Sequence, residues 1–150
     1  MGRFTSAGNP YDKRRVYQRI HQRLSTQPEF LDVQYLPSRN RPREIHAVVD
    51  VERFLDHSYW STTARVEIEF IFRQDWNRYW IQWVEPERGF SCGWHQDTTH
   101  IDLGHCHFQI NYPDGSVDRK EAAFLDAHPL SVVETRLRSL PEKVVKLFNE

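Results

Sequence analysis

From Ala64 to Arg73 every second residue is apolar: Ala64, Val66, Ile68, Phe70 and Phe72 alternate with Arg65, Glu67, Glu69, Ile71 and Arg73. A period of two belongs to a strand with one buried face; a helix would scatter the same apolar residues around its whole circumference. The period recurs upstream, where Ile45, Ala47, Val49 and Val51 alternate with Glu44, His46, Val48, Asp50 and Glu52. Gln74 to Asn77 supplies a turn, and Arg78 to Val84 returns as an aromatic-rich strand, so the runs 64–73 and 78–84 are expected to pair as an antiparallel hairpin. Pro86 to Gly89 makes a further turn, Phe90 to Trp94 a short strand, and residues 104–112 a last strand that stops at the turn Tyr112-Pro113-Asp114-Gly115. Residues 30–36 read as another short strand, ahead of the breaker-rich basic loop 37–43.

Helices are expected at both ends. Asn9-Pro10 has the form of an N-cap followed by proline at the first helical position, and Val16, Ile20 and Leu24 then recur every fourth residue, which predicts a helix over 10–25. His128-Pro129 opens a second helix with the apolar stripe Leu130, Val133, Leu137 and Leu140, and Pro141 is expected to restart a third with Val144, Val145 and Phe148. The element order predicts an α+β fold: an antiparallel sheet of about four to six strands, with an N-terminal helix and two C-terminal helices packed on one face. Residues 1–150 are expected to form a single domain, divided into a basic N-terminal helix and loop (1–43), the sheet (44–112) and the C-terminal helices (128–149).

Composition limits the functional classes. Hydrophobic residues make up 39% of the chain, enough for a core, and the mean hydropathy is −0.73, with no apolar run approaching the length of a membrane span. Met1 to Arg15 is polar, with no apolar segment behind Lys13-Arg14-Arg15, so no secretory signal is read and the cytoplasm is the expected compartment. Cys92 and Cys106 are in no C-x-x-C arrangement and are read as reduced thiols. The total charge of −1 hides an asymmetry: residues 1–43 hold nine basic side chains against three acidic ones, a net +6, which leaves −7 for the rest. A basic arm of this kind suits nucleic acid or an acidic partner, and Arg14, Arg15, Arg19 and Arg23 on the first helix are the candidate phosphate contacts.

The densest chemistry lies in Trp94-His95-Gln96-Asp97-Thr98-Thr99-His100-Ile101-Asp102-Leu103-Gly104-His105-Cys106-His107, which gathers four of the eight histidines. Imidazole binds transition metals and moves protons near neutral pH, and a nearby carboxylate orients it. Alternation along the last strand puts Cys106, Phe108 and Ile110 on one face and His105, His107 and Gln109 on the other. Two residues of rise separate the Cα atoms of His105 and His107 by about 7 Å, from which both rings reach one metal ion or one substrate. His105 and His107 would take a divalent ion such as zinc, with His95 or His100 and Asp97 or Asp102 available to complete three ligands and leave a position open for water, as a hydrolytic centre needs. Without metal, His105 and His107, joined by His100, would serve as general acid and base for RNA cleavage, with the basic helix holding phosphates. Of the five tryptophans, Trp80 shares a face with Arg78 and Gln82 and Trp83 with Tyr79 and Ile81, so at least one is a candidate for exposure on the sheet, where it would stack a base or pack a partner. The acidic pairs Asp50/Glu52 and Glu67/Glu69 form a further candidate divalent-metal constellation.

The run from Thr62 to Leu140 resembles the TumE family of toxins from toxin–antitoxin modules. The resemblance lies in the order of two aromatic strands, a histidine-rich loop, the His105-x-His107 strand, Pro113-Asp114-Gly115-x-Val117, and Pro129-Leu130-x-x-Val133 opening the final helix. It implies a small intracellular toxin neutralised by a cognate antitoxin protein, with the paired histidines as the positions carried over and RNA or translation as the target. Two other readings stand beside it: a non-enzymatic domain that binds another protein through its aromatic sheet or basic helix, and a metal-dependent hydrolase. Neither a membrane partner nor any cofactor beyond a divalent metal is expected.

Overall fold

The computed structural model describes residues 11–56, 58–59 and 63–149. Helix α1 (Lys13–Ser25) leads into strands β1 (Phe30–Leu36) and β2 (Glu44–Val49), then a short helix α2 (Val51–Leu55). Strands β3 (Arg65–Ile71), β4 (Arg78–Glu85), β5 (Phe90–Gln96), β6 (Cys106–Asn111) and β7 (Val117–Glu121) follow, and the long helix α3 (Pro129–Phe148) closes the chain. All seven strands form one antiparallel sheet in sequence order, each hydrogen-bonded to the next. The fold is therefore α+β, as expected, with more strands than the sequence pattern predicts and one C-terminal helix in place of two.

Cross-strand register turns the period-two pattern into two distinct faces. Ile45, Ile68, Ile81, Trp94 and Phe108 stand opposite one another from β2 to β6, all buried. Both long helices cover that face. Val16, Tyr17, Ile20 and Leu24 form the buried stripe of α1, and Val132, Val133, Leu137, Leu140 and Val144 that of α3. Tyr17 is wholly buried, and its hydroxyl accepts the Phe70 N–H at 2.8 Å and donates to the Arg43 carbonyl, fastening α1 where β2 stops short of β3. At the opposite end of this face the Glu85 carboxylate, 1% exposed, accepts from the Tyr59 hydroxyl at 2.6 Å, the Trp83 indole at 2.8 Å and the Arg88 guanidinium at 3.1 Å. A buried carboxylate is tolerable only with such full satisfaction.

Four boundaries differ from the sequence expectations, each for a local reason. Asn9-Pro10 lies outside the described residues; α1 is capped instead by Asp12, whose side chain accepts the Arg15 N–H. The alternation through Glu52 overruns β2, because Asp50 accepts the Arg53 N–H and caps α2, turning Val51 and Glu52 into the first helical turn. Pro141 sits inside the continuous helix α3 rather than starting a new one. Proline in a helix interior costs about 3 kcal/mol, which the burial of Leu140 and Val144 on either side offsets at roughly 1.5–3 kcal/mol each. The segment 117–121 is the seventh strand, although Val117-Asp118-Arg119-Lys120-Glu121 is exposed throughout and has no apolar alternation. Charged residues of both signs suit an edge strand, whose free backbone groups would otherwise invite pairing with another chain. With β1 and β7 included, the sheet extends beyond the 44–112 span read from the sequence. Among the described residues no helix is long and apolar enough to cross a membrane.

Gly93 lies at the centre of β5, where β4 approaches closely: a Cβ there would come within 2.3 Å of the Ile81 carbonyl oxygen and 2.4 Å of the Gln82 Cα. Both atoms belong to backbone, so no rotamer change relieves the overlap. Gly93→Ala is expected to lower the free energy of unfolding by about 3 kcal/mol in urea titrations. Gly89→Ala, at a turn with φ of +68° but open space around it, should cost only about 1 kcal/mol. Equal losses at the two positions would show that the close approach is not a packing constraint.

Candidate functional site

The face of the sheet turned away from the helices is polar. Its register sets Glu44, Glu69, Trp80, His95, His107 and Glu121 opposite one another from β2 to β7. The neighbouring row is His46, Glu67, Gln82, Gly93, Gln109 and Arg119. Side chains of the two rows are hydrogen-bonded into chains. Glu67 accepts from the Arg65 guanidinium at 2.6 Å and from the Gln82 amide at 3.0 Å, and Gln82 Oε1 lies 3.2 Å from His95 Nε2. Across β5, His107 Nε2 lies 3.2 Å from Gln109 Oε1, which also accepts Arg119 Nε at 3.1 Å. The Gln109 amide donates to Asn111, and Asn111 to Ser91.

These chains assign the imidazole tautomers. The Gln82 amide nitrogen is committed to Glu67, so its oxygen faces His95 and must receive the Nε2–H, leaving His95 Nδ1 as the basic atom. By the same reasoning His107 donates from Nε2 to Gln109. The His95 and His107 rings lie 5.2 Å apart between centroids, and the His100 ring meets His107 edge-on at 5.1 Å. Burial, and then the neighbouring His107, push the His95 pKa down to about 4 against the opposing pull of Asp97, so this ring is a neutral base at neutral pH. Trp80, 43% exposed, stands beside His95 with centroids 5.7 Å apart, whereas Trp83 is wholly buried on the other face.

The loop from Asp97 to His105 folds over this surface. Burial tends to raise the Asp97 pKa, but the hydroxyl and backbone N–H of Thr99 and the Trp80 indole outweigh it and hold the carboxyl below the usual range. A short 3-10 turn over Ile101–Leu103 follows, and Asp97 N–H closes the loop on the His105 carbonyl at 3.0 Å. Asp102 is exposed on that turn. The loop carries His100 onto His107, which is consequently 1% exposed even though its strand position faces away from the core.

Cys106 and Phe108 point into the core, as alternation requires, but the structure does not bring His105 to His107. His105 precedes β6 and is exposed, with its ring against Trp76 at 4.5 Å and Phe124 at 5.9 Å. The imidazoles that meet are His95, His107 and His100. The proposed ligand set His105, His107, His95 and Asp97 does not converge either: among the described residues only Glu44, His46 and Glu67 place ligand-type atoms within 4.8 Å of one another. His46 Nε2 there already contacts Glu44 at 2.9 Å, and both Glu67 oxygens are taken by Arg65 and Gln82. Of the other acidic residues considered, Asp50 is a helix cap and Glu52 lies exposed on α2.

Arg14, Arg15, Arg19 and Arg23 all belong to α1, on the opposite side of the sheet from His95. Arg14 donates to Asn40 at 3.2 Å and Arg23 is paired with Glu134 of α3, while Arg15 and Arg19 are exposed. Sequence reasoning missed Gln82, Gln109 and Arg119, which set tautomers and supply a cation beside the histidines. Their role comes from register between strands distant in sequence, and Arg119 sits on the strand that has no apolar signature.

The lowered His95 pKa makes stability pH-dependent. Between pH 6.5 and 4 the unfolded chain protonates this histidine and the folded chain does not, so its contribution is complete above pH 6.5 and is lost as the pH falls toward 4. Urea unfolding of wild type should lose about 2 kcal/mol more than His95→Gln between pH 7 and pH 4.5. Parallel losses in the two proteins would mean that His95 titrates as an exposed imidazole.

No family model matches the chain, and no curated protein or solved structure matches it, so the functional reading rests on the chemistry of this face.

Proposed function

We propose that the chain is a TumE-like toxin that cleaves RNA on the open face of its sheet. The observation that carries this reading is a neutral, tautomer-fixed imidazole, His95, beside an exposed indole, Trp80, on the polar face of the sheet. An aromatic platform binds an unpaired base through its π-face whatever the sequence, at about 1–3 kcal/mol per base. With a base on Trp80, His95 Nδ1 accepts the ribose 2′-hydroxyl proton as that oxygen attacks the adjacent phosphorus. The bond from phosphorus to the 5′-oxygen breaks, and a protonated His100 delivers a proton to the leaving oxygen, giving a 2′,3′-cyclic phosphate and a free 5′-hydroxyl. Arg119 supplies positive charge for the phosphorane. His107, buried between the two, is a positioning residue that keeps His95 neutral.

The α1 arginines are across the sheet from this chemistry and are reassigned to phosphates outside the reacting step or to a cognate antitoxin. A second reading, metal-dependent hydrolysis, is favoured only by the Glu44, His46 and Glu67 group, which a divalent ion would have to free from Arg65 and Gln82.

Induced expression should slow growth, and purified protein should cleave single-stranded RNA to 2′,3′-cyclic phosphate ends. His95→Ala should reduce cleavage by about 100-fold or more, within the usual range for loss of a general base, and relieve toxicity with an intact thermal transition. His105→Ala should leave both unchanged. Chelator treatment that abolishes cleavage would favour the metal reading, and a harmless wild type would favour a non-enzymatic interaction domain.

A further inference from the structure

On the helix side of the sheet, a pocket of about 310 Å³ opens between α3 and strands β6 and β7. Its apolar wall comes from Trp94, Phe108 and Ile110, and Arg136 of α3 lines it. Arg136 is only 6% exposed, yet no carboxylate of the described residues lies within ion-pair distance. Its Nε donates to the Tyr79 hydroxyl at 3.0 Å and its Nη2 to Cys106 Sγ and the Ala123 carbonyl, all neutral acceptors. Nη1 has no partner among the described residues. Because none of their side-chain polar atoms is both buried and unpaired, that nitrogen reaches accessible surface, and this pocket is the cavity Arg136 lines.

A buried guanidinium without a counter-charge is costly, and the surroundings add further positive charge. Lys120, Lys143 and Lys146 also line the pocket, with Lys143 Nζ 5.1 Å from the Phe108 ring centre. The one acidic residue at the rim, Glu121, pairs with His107, and strand alternation sends its side chain to the other face. Four cations thus surround an apolar floor. We infer that this pocket binds a small amphipathic anion, a carboxylate or phosphate monoester on an apolar or aromatic body, with the acid group on Arg136 Nη1 and the body against Trp94, Phe108 and Ile110. Planar guanidinium suits either anion through paired N–H donors, and the apolar wall excludes a bare, fully hydrated ion. The site is on the opposite side of the sheet from His95 and does not depend on the RNA-cleavage reading.

Hexanoate, phenyl phosphate, hexanol and inorganic phosphate serve as probes, titrated into full-length protein and read by the Trp94 indole N–H resonance and by the thermal transition. Hexanoate or phenyl phosphate should move the Trp94 signal and raise the midpoint, with hexanol and inorganic phosphate at least about tenfold weaker. Binding of hexanoate alone would assign a carboxylate ligand, and of phenyl phosphate alone a phosphate ester. The double variant Lys143→Gln/Lys146→Gln, at exposed positions, should weaken the anion about fivefold and flatten its salt dependence. Arg136→Met should abolish binding if it folds; the lysine variant decides the matter if it does not. Equal affinity for hexanol and hexanoate, a Trp94 signal that no probe moves, or unchanged binding in the lysine variant would overturn the inference.

Discussion

Everything specific about this protein depends on the two-residue alternation of strands held in register from β2 to β6. One face must be apolar to receive α1 and α3, and the same register then forces the intervening polar residues into rows on the other face. Ile81 opposite Trp94 and Trp80 opposite His95 are consequences of a single pairing. A slip of one residue between β4 and β5 would place His95 in the core and Trp94 in water, destroying core and site together. Gly93 belongs to this constraint, since it lets β5 lie against β4 at the centre of the polar row.

The fold was legible wherever the apolar period was strong. Strands β3 and β4, the stripe of α1, the burial of Cys106 and Phe108 and the opposite placement of Trp80 and Trp83 all follow from counting residues. Strand β7 was not legible, because its charged exposed residues carry no apolar alternation. Pro141 carries a strong local stop signal that tertiary packing overrides, and Asp50 carries a capping role that a continuing alternation conceals. The site was legible as a region, not as a constellation. Spacing suggested His105 with His107, but strand pairing begins at Cys106 and the preceding loop folds back, so His107 receives His95 from the adjacent strand and His100 from the loop above. No local pattern encodes a cross-strand neighbour, nor the glutamines that decide which ring nitrogen is basic.

The two faces divide charge as well as polarity. The helix side carries the exposed cations of α1 and the uncompensated Arg136, while the open side balances Arg65 with Glu67 and leaves Arg119 near the imidazoles. The positive charge of α1 therefore does not surround the histidines. A polyanion gripped by α1 would have to wrap an edge of the sheet to reach His95. The proposed chemistry of the open face needs no such grip, since it relies on Trp80 as the stacking platform and Arg119 as the cation.

The central claim is that single-stranded RNA engages the open face. Titrating a short RNA oligonucleotide, blocked with 2′-O-methyl groups against cleavage, into isotope-labelled protein and following backbone, indole and imidazole resonances tests it most directly. The largest shifts are expected at the Trp80 indole, His95, His100 and Arg119, with α1 nearly silent. Shifts concentrated at Arg14, Arg15, Arg19 and Arg23, with the Trp80 indole unmoved, would contradict it.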